Sequence, residues 1–212
     1  MPTLKVLSLS DVQLPKIYSE DIRRLYGDVD LVLGCGDLPY FYLEYVVDML
    51  AKPVFFVRGN HDSAIEFSQK GDRSHPWGAE DLHRRVICHE GLLIAGLEGS
   101  VRYSSGPFQY TQSEMWELVL RLVPALFWNF PRHGRALDVL VAHSPMWGYM
   151  DRPDPAHQGF KALRWLVRVF RPKYFFHGHI HVDGTEQRYG EFRNTRVINS
   201  TGAVVTEIQL NG

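Results

Sequence analysis

Residue types that bind metals follow five short apolar runs in this chain. The runs span residues 4–9, 31–33, 54–57, 139–142 and 174–176. The polar residues that follow them are Asp11, Asp37, Asn60, His61, Asp62, His143, His179 and His181. Short runs rich in valine, leucine and phenylalanine, bounded by glycine and proline, predict buried strands. Because ligands collect at the carboxyl ends of strands in open α/β sheets, we expect these side chains to converge on one crevice.

The donor atoms of these residues indicate a class of metal. Carboxylate, amide and imidazole groups are mixed hard and borderline ligands, which suit Mn, Fe, Zn or Ni better than Ca or Mg. The set offers more donors than one ion needs. It fits two ions about 3.5–4 Å apart that share a bridging carboxylate, as in hydrolases that act on phosphoryl groups.

The order of these motifs resembles the calcineurin-like metallophosphoesterases, a superfamily of binuclear metal phosphohydrolases. The resemblance covers nearly the whole chain and implies an α/β fold, a four-layer αββα sandwich of two mixed β-sheets flanked by helices. The ligands it implies are Asp11, Asp37 and His181 for the first ion, and Asp37, Asn60, His143 and His179 for the second. It also implies that His61 faces the substrate as an acid or charge stabiliser and that Asn60 helps to neutralise the phosphoryl oxygens.

The chain departs from the family at the first motif. The family pattern is Asp-x-His, and this chain reads Asp11-Val12-Gln13. An amide is a poorer ligand than an imidazole for these metals, so we expect the first ion to bind more weakly than the second. The same departure leaves open a binding module on this fold, as in the retromer subunit that resembles these enzymes and has lost catalytic residues.

The implied reaction is hydrolysis of a phosphoester, a phosphodiester in preference to a monoester. Two divalent ions, with Mn²⁺ as the first choice, would lower the pKa of a bridging water from about 15.7 toward about 7 and so produce the attacking hydroxide. A nuclease is the other enzymatic alternative, and it predicts a basic groove. The formal net charge of −1 and the pI near 6.8 give the chain as a whole no positive electrostatic field that would attract nucleic acid.

Length and composition favour one domain over residues 1–212, with residues 98–135 as a segment that could shape substrate choice. We expect a small-molecule substrate and neither nucleic-acid binding nor membrane insertion, because no apolar run approaches the length of a bilayer span. Cys35 and Cys88 are the only cysteines, which favours free thiols and a cytoplasmic protein. The sequence leaves the oligomeric state open.

Hydrophobic spacing predicts the surrounding elements. Helices are expected at 17–26, at 43–50, from Thr111 onward with Glu114 completing a capping box, and at 158–170. The glycine and proline pattern predicts a polar loop at 63–83 and another loop at 131–134. A β-hairpin is expected at 86–97, and strands at 197–198 and 204–208.

Several candidate site residues also have plain structural interpretations. Asp11 and Asp37 could cap helices, and His143 could be a hydrogen-bonded core residue. Asp62 could orient a ligand histidine or stay solvated. His157 could cap a surface helix as readily as contact substrate. The ordered set of motifs, rather than any one of these residues, favours the metal site.

Overall fold

The computed structural model describes residues 3–67, 71–182 and 187–209, which form two large β-sheets, a small two-stranded sheet and four helices. The strands are β1 Thr3–Ser10, β2 Leu31–Cys35, β3 Val54–Val57, β4 Ala79–Asp81, β5 Val86–His89, β6 Leu92–Leu97, β7 Ser100–Val101, β8 Gln109–Tyr110, β9 Val139–Ala142, β10 Tyr174–His177, β11 Tyr189–Phe192, β12 Thr195–Asn199 and β13 Gly202–Gln209. The helices are α1 Asp21–Tyr26, α2 Tyr40–Leu50, α3 Gln112–His133 and α4 Lys161–Phe170.

Both large sheets mix parallel and antiparallel strands. The first has the order β13-β1-β2-β3-β4, in which β13 is antiparallel to β1 and the other neighbours are parallel. The second has the order β11-β12-β10-β9-β6-β5, with antiparallel pairs at its two edges and parallel pairs between them. The predicted pair of mixed sheets is confirmed.

The alternation of side chains along the strands produces the layers. In β1, Leu4 and Val6 pack in an apolar cluster shared by the two sheets, whereas Leu7 and Leu9 pack against α1 and α2. The other face of the second sheet packs against α3 and α4, as in the cluster that includes Phe175. Each sheet is therefore covered by helices on one face and by the other sheet on the other, which confirms the predicted αββα fold.

Local sequence signals correctly predicted two further elements, the hairpin of β5 and β6 and the start of helix α3. Strands β5 and β6 form the expected antiparallel hairpin, and Glu90 and Gly91 at its turn have φ values of 49° and 82°, as a two-residue turn requires. Helix α3 begins after Thr111, whose hydroxyl accepts the Glu114 N–H at 3.2 Å while the Glu114 carboxylate accepts the Thr111 N–H at 2.6 Å. The capping box is confirmed.

Helix boundaries differ from the sequence prediction in four places, one of which is α2, which begins at Tyr40 rather than at residue 43. Helix α1 begins at Asp21, because Ile17 is buried in a preceding turn where its N–H donates to the Leu14 carbonyl at 2.9 Å. Helix α4 begins at Lys161 rather than at residue 158. The loop prediction at 131–134 was wrong, because α3 runs through Pro131 and ends only where Gly134 adopts φ 69°. The bond that Pro131 cannot make falls on an exposed turn, where water can satisfy the free carbonyl.

The polar segment 63–83 and the helices also bear on two expectations, a loop in that segment and the absence of membrane insertion. Strand β4 lies within the polar segment 63–83, of which residues 68–70 fall outside the described residues. Across the described chain, no helix combines the length and the apolar character that a membrane span requires. The single-domain division, with residues 98–135 as a substrate-shaping segment, stays a prediction.

Candidate metal centre

The carboxyl ends of β2, β9 and β10 bring three predicted ligands together. Asp37, His143 and His179 each offer one ligand atom, and these atoms all lie within 4.8 Å of one another. Backbone bonds hold the connecting segments in place, since the Gly178 N–H donates to the His143 carbonyl at 2.9 Å. The crevice that the strand endings predicted therefore gathers a carboxylate and two imidazoles.

Three predicted ligands have a left-handed backbone. The φ angles are 63° at Asp11, 57° at Asp37 and 67° at His179, and each residue lies just beyond the end of a strand. For a residue other than glycine this conformation costs about 1–3 kcal/mol and persists only where the surrounding structure enforces it. The fold therefore sustains backbone strain at the positions where the donor side chains leave the sheets.

Two glycines make room for the donors. A Cβ at Gly59 would lie 2.0 Å from Asp37 Oδ1, and a Cβ at Gly36 would lie 2.6 Å from His143 Nδ1. Gly36 also has a φ of 90°, which favours glycine in any case. These glycines let the backbone approach the donor side chains closely.

His143 and Asp37 form a buried, strongly coupled pair. His143 Nδ1 lies 2.9 Å from the Cys35 carbonyl oxygen, and Nε2 lies 3.1 Å from Asn60 Oδ1 and 3.3 Å from Asp37 Oδ2. Burial by itself would lower the pKa of His143, but the Asp37 carboxylate outweighs it and raises that pKa. Burial would likewise raise the pKa of Asp37, but His143 keeps it low. The pair thus favours positive charge between the two side chains, which a divalent ion would supply in place of a proton.

His179 is a neutral donor. Burial lowers its pKa to about 3, and Nε2 lies 2.7 Å from the Ala156 carbonyl oxygen. A proton held on Nε2 by this carbonyl leaves the lone pair of Nδ1 for a metal. The ring centroid of His157 is 5.3 Å from that of His179, so His157 lies beside a candidate ligand rather than on a remote surface.

The residues implied for the first ion are less closely assembled. Both Asp11 carboxylate oxygens accept the His179 N–H at 3.1 Å, and the Thr201 hydroxyl donates to Oδ2 at 3.2 Å. His181 is exposed, and its backbone carbonyl accepts a bond from Arg152 at 3.2 Å. Among the described residues, neither Asp11 nor His181 joins the donor group formed by Asp37. Their assignment to the first ion stays a prediction.

An open cavity of about 240 Å³ lies beside the donor group. Its lining residues are Gln13, Asp37, Pro39, His61, Asp62, Ser63 and Glu66. The His61 backbone N–H donates to Asp37 Oδ1 at 2.8 Å, and its side chain is exposed. Gln13 and His61 therefore face the same space as the candidate bridging carboxylate.

Asp62 braces the loop that carries Asp37. Its Oδ2 accepts the Gly59 N–H at 2.7 Å and the Asp37 N–H at 3.0 Å, and burial raises its pKa to about 7. The sequence suggested that Asp62 could orient a ligand histidine or stay solvated. The structure shows instead a carboxylate that fixes the backbone of the candidate ligand.

Sequence reasoning missed two residues that touch the centre. Thr201 bonds the Asp11 carboxylate, and the Asn60 amide donates from Nδ2 to the Tyr103 hydroxyl at 3.0 Å. Tyr103 lies within the 98–135 segment linked to substrate choice, but no local motif singled it out. Both contacts join residues far apart in the chain, so only the folded structure could reveal them.

The donor chemistry fits a divalent transition-metal ion at one position. A carboxylate and two imidazoles lie close together, and the Asn60 amide oxygen lies 3.1 Å from His143 Nε2. Ligand distances of about 2.0–2.2 Å are typical for such donors. We therefore take Asp37, Asn60, His143 and His179 as a coherent candidate ligand set.

Comparisons with known proteins identify the family and show a similar fold. The family model for calcineurin-like phosphoesterases matches residues 4–183, so the chain belongs to that family of phosphoester hydrolases. It is 29% identical over 171 residues to an uncharacterized protein of Haemophilus influenzae, covering 71% of this chain and 73% of that protein. The crystal structure of TT1561 of Thermus thermophilus has a similar fold, with a TM-score of 0.60 and 14% identity, covering 99% of this chain and all of that one.

Proposed function

We propose that the protein is a metal-dependent phosphodiesterase that acts on small molecules. The carrying observation is that Asp37, His143 and His179 meet within 4.8 Å beside a cavity that His61 also lines. Family membership supports a metal-dependent phosphoester hydrolase at this centre. Asp37, one member of the donor group, and the exposed His61 imidazole then line one cavity, as such a reaction requires.

The metal requirement follows from the donors. Asp37, Asn60, His143 and His179 would hold the second ion, while Asp11 and His181, with Asp37 shared and Gln13 nearby, would hold the first. Mn²⁺ is our first choice, with Fe, Ni and Zn as alternatives. Bound divalent ions supply Lewis-acid polarisation of the phosphoryl oxygens and lower the pKa of water.

The protein's own groups have separate tasks in this reaction. His61 is tied through its backbone to Asp37 and presents its ring to the cavity, where it would give a proton to the leaving oxygen or stabilise its charge. Asn60 would stabilise negative charge on the phosphoryl group through the Nδ2 hydrogen that it does not donate to Tyr103. Asp62 keeps the Asp37 loop in place through two backbone N–H bonds.

The charge of the cavity favours a diester over a monoester. Among its described lining residues, His61 is the one side chain that can become cationic, and Glu66 adds an acidic group beside the Asp37 loop. A phosphomonoester carries about −1.5 to −2 charges near pH 7, and a diester carries about −1. Among the described lining residues no arginine or lysine would pair with the additional charge of a monoester, which supports a diester as the substrate.

Hydrolysis assays would test the function directly. Aryl diesters, aryl monoesters and nucleotides would be incubated with protein and Mn²⁺, Fe²⁺, Ni²⁺ or Zn²⁺, with EDTA as the metal-free control. We expect metal-dependent hydrolysis of an aryl diester that EDTA abolishes and that exceeds monoester hydrolysis. Metal binding without turnover on any substrate would contradict the enzyme assignment and favour a binding module, and preferred monoester hydrolysis would reject the diester assignment.

The Gln13 position offers a second prediction. We expect Gln13→His to tighten binding at the first site, because an imidazole is a better ligand than an amide for Mn²⁺. The variant should then reach full activity at a lower Mn²⁺ concentration. Both forms would be stripped of metal and titrated with Mn²⁺ while bound ions are counted and diester hydrolysis is followed.

Gln13→Asn is the matched control, since it changes the side chain and adds no imidazole. The account of unequal sites fails if wild-type protein keeps two ions through dialysis against a chelator. It also fails if Gln13→His binds the first ion more weakly than wild type.

A further inference from the structure

The loop between β7 and β8 contacts the candidate metal centre through one hydroxyl group. Tyr103 Oη accepts a hydrogen bond from Asn60 Nδ2 at 3.0 Å, and the two residues are 43 positions apart in the chain. The other end of the same amide, Asn60 Oδ1, lies 3.1 Å from His143 Nε2. The Asn60 amide is therefore held between the donor group and Tyr103.

The chemistry of the Asn60 amide explains why Nδ2 needs an acceptor such as the Tyr103 hydroxyl. Only the carbonyl oxygen of an asparagine side chain can bind a metal, so Nδ2 must point away from the ion and needs an acceptor elsewhere. Asn60 is 4% exposed, and an unpaired buried N–H costs free energy. Tyr103 supplies the acceptor that leaves Oδ1 directed toward the metal ligands.

Hydrogen bonds within the β7–β8 loop hold Tyr103 in place. The side chain of Gln109 is buried, and its Oε1 accepts the backbone N–H groups of Tyr103 and Ser104 at 3.1 and 3.0 Å. Its Nε2 donates to the Ser104 hydroxyl at 2.8 Å. A buried glutamine that satisfies two consecutive N–H groups fixes the backbone at Tyr103, although the tyrosine ring itself is 42% exposed.

The base of this loop is attached to the same segment as Asn60. The Gly99 N–H donates to the Arg58 carbonyl at 2.8 Å, and the Arg58 guanidinium lies 5.4 Å from the centre of the Phe108 ring. Arg58 precedes Asn60 by two positions. The loop and the candidate ligand are thus braced against each other on both sides of the Tyr103 contact.

We propose that Tyr103 is a positioning residue that orients the Asn60 amide as a ligand of the second divalent ion. The proposal rests on the proposed function for the identity of that ion. Outer-shell partners of metal ligands typically contribute about 10–100-fold to metal affinity. Through this bond the β7–β8 loop is coupled to the metal centre, so ordering of the loop and occupancy of the second site become linked.

Metal affinity of Tyr103→Phe, measured without substrate, would test the proposal. The substitution removes only the hydroxyl, and we expect Mn²⁺ at the tighter site to bind about 10-fold more weakly in competition with a chelator. Tyr18→Phe is the matched control. Tyr18 is also half-exposed, and its ring packs against Phe41, Tyr42 and Tyr45. It should bind Mn²⁺ as wild type does.

A double-mutant cycle with Asn60→Ala separates positioning from general loop damage. If Tyr103 acts through Asn60, Tyr103→Phe should have no further effect on Mn²⁺ affinity once Asn60 is alanine. Unchanged affinity in Tyr103→Phe, or an equal loss with and without Asn60, would overturn the proposal. These readouts need no turnover, so a failure to find a hydrolysed substrate would reject the proposed function and leave this result standing.

Discussion

Replacing Asp37 with asparagine should abolish hydrolysis and remove bound metal. Asp37 lies within 4.8 Å of both histidine donors and is the residue expected to bridge the two ions. Asparagine keeps the shape and an oxygen that can accept the His61 N–H, but it removes the negative charge that draws a cation to this point. We expect the loss of turnover to exceed the roughly 10²–10⁴-fold contribution of a general acid.

Metal content after gel filtration and the thermal stability with and without Mn²⁺ would measure this effect. A ligand at 100 times its Kd stabilises a folded protein by about 2.7 kcal/mol, so wild type should gain stability with Mn²⁺ and Asp37→Asn should not. Asp48→Asn, an exposed change on α2, is the control and should behave as wild type. Wild-type metal content in Asp37→Asn would contradict the assignment of Asp37 as a ligand.

Replacing His61 with alanine should slow turnover by about 10²–10⁴-fold while metal content stays unchanged. The imidazole faces the cavity, and the hydrogen bond from His61 to Asp37 comes from its backbone N–H. Alanine keeps that N–H and so preserves the bond to the candidate bridging carboxylate. Loss of activity without loss of metal is the signature of a group that serves the substrate.

The leaving group provides a sharper readout for the same variant. If His61 assists departure of the leaving oxygen, the loss should be large for a diester with an alkyl leaving group and small for one with a nitrophenyl leaving group. His133→Ala, at the far end of α3 and outside the cavity lining, is the control. Full activity of His61→Ala on the poor leaving group, or an equal loss on both substrates, would reject the acid role.

The resemblance of the motif order to a known family implied the fold, and the apolar runs of the sequence predicted its buried strands. The strands of the parallel region are apolar on both faces, since each sheet is covered on both sides. Helix ends were harder to predict. At Pro131 the local rule for a helix stop was outweighed by the rest of α3, whose apolar residues such as Leu122 and Leu126 anchor the helix to the core.

The sequence likewise predicted some features of the candidate site and missed others. The order of the motifs predicted Asp37, His143 and His179 as donors, and the structure brings these three side chains together. The assignment of Asp11, Gln13 and His181 to a first ion stays a prediction. The sequence did not indicate that Asp62 bonds two backbone N–H groups instead of a histidine.

The sequence alone determined the buried strands and the kinds of donor atoms available, because hydrophobic runs and residue chemistry are local properties, and the layered fold was implied by the resemblance of its motif order to a known family. The tertiary structure decided which donors meet, how Asp37 is turned by a left-handed backbone, and that Tyr103 reaches Asn60 across 43 positions. Such contacts depend on how separate segments pack at the sheet edges. That packing sets the orientation of each donor side chain and the residue that it contacts. No short-range pattern in the sequence encodes this packing.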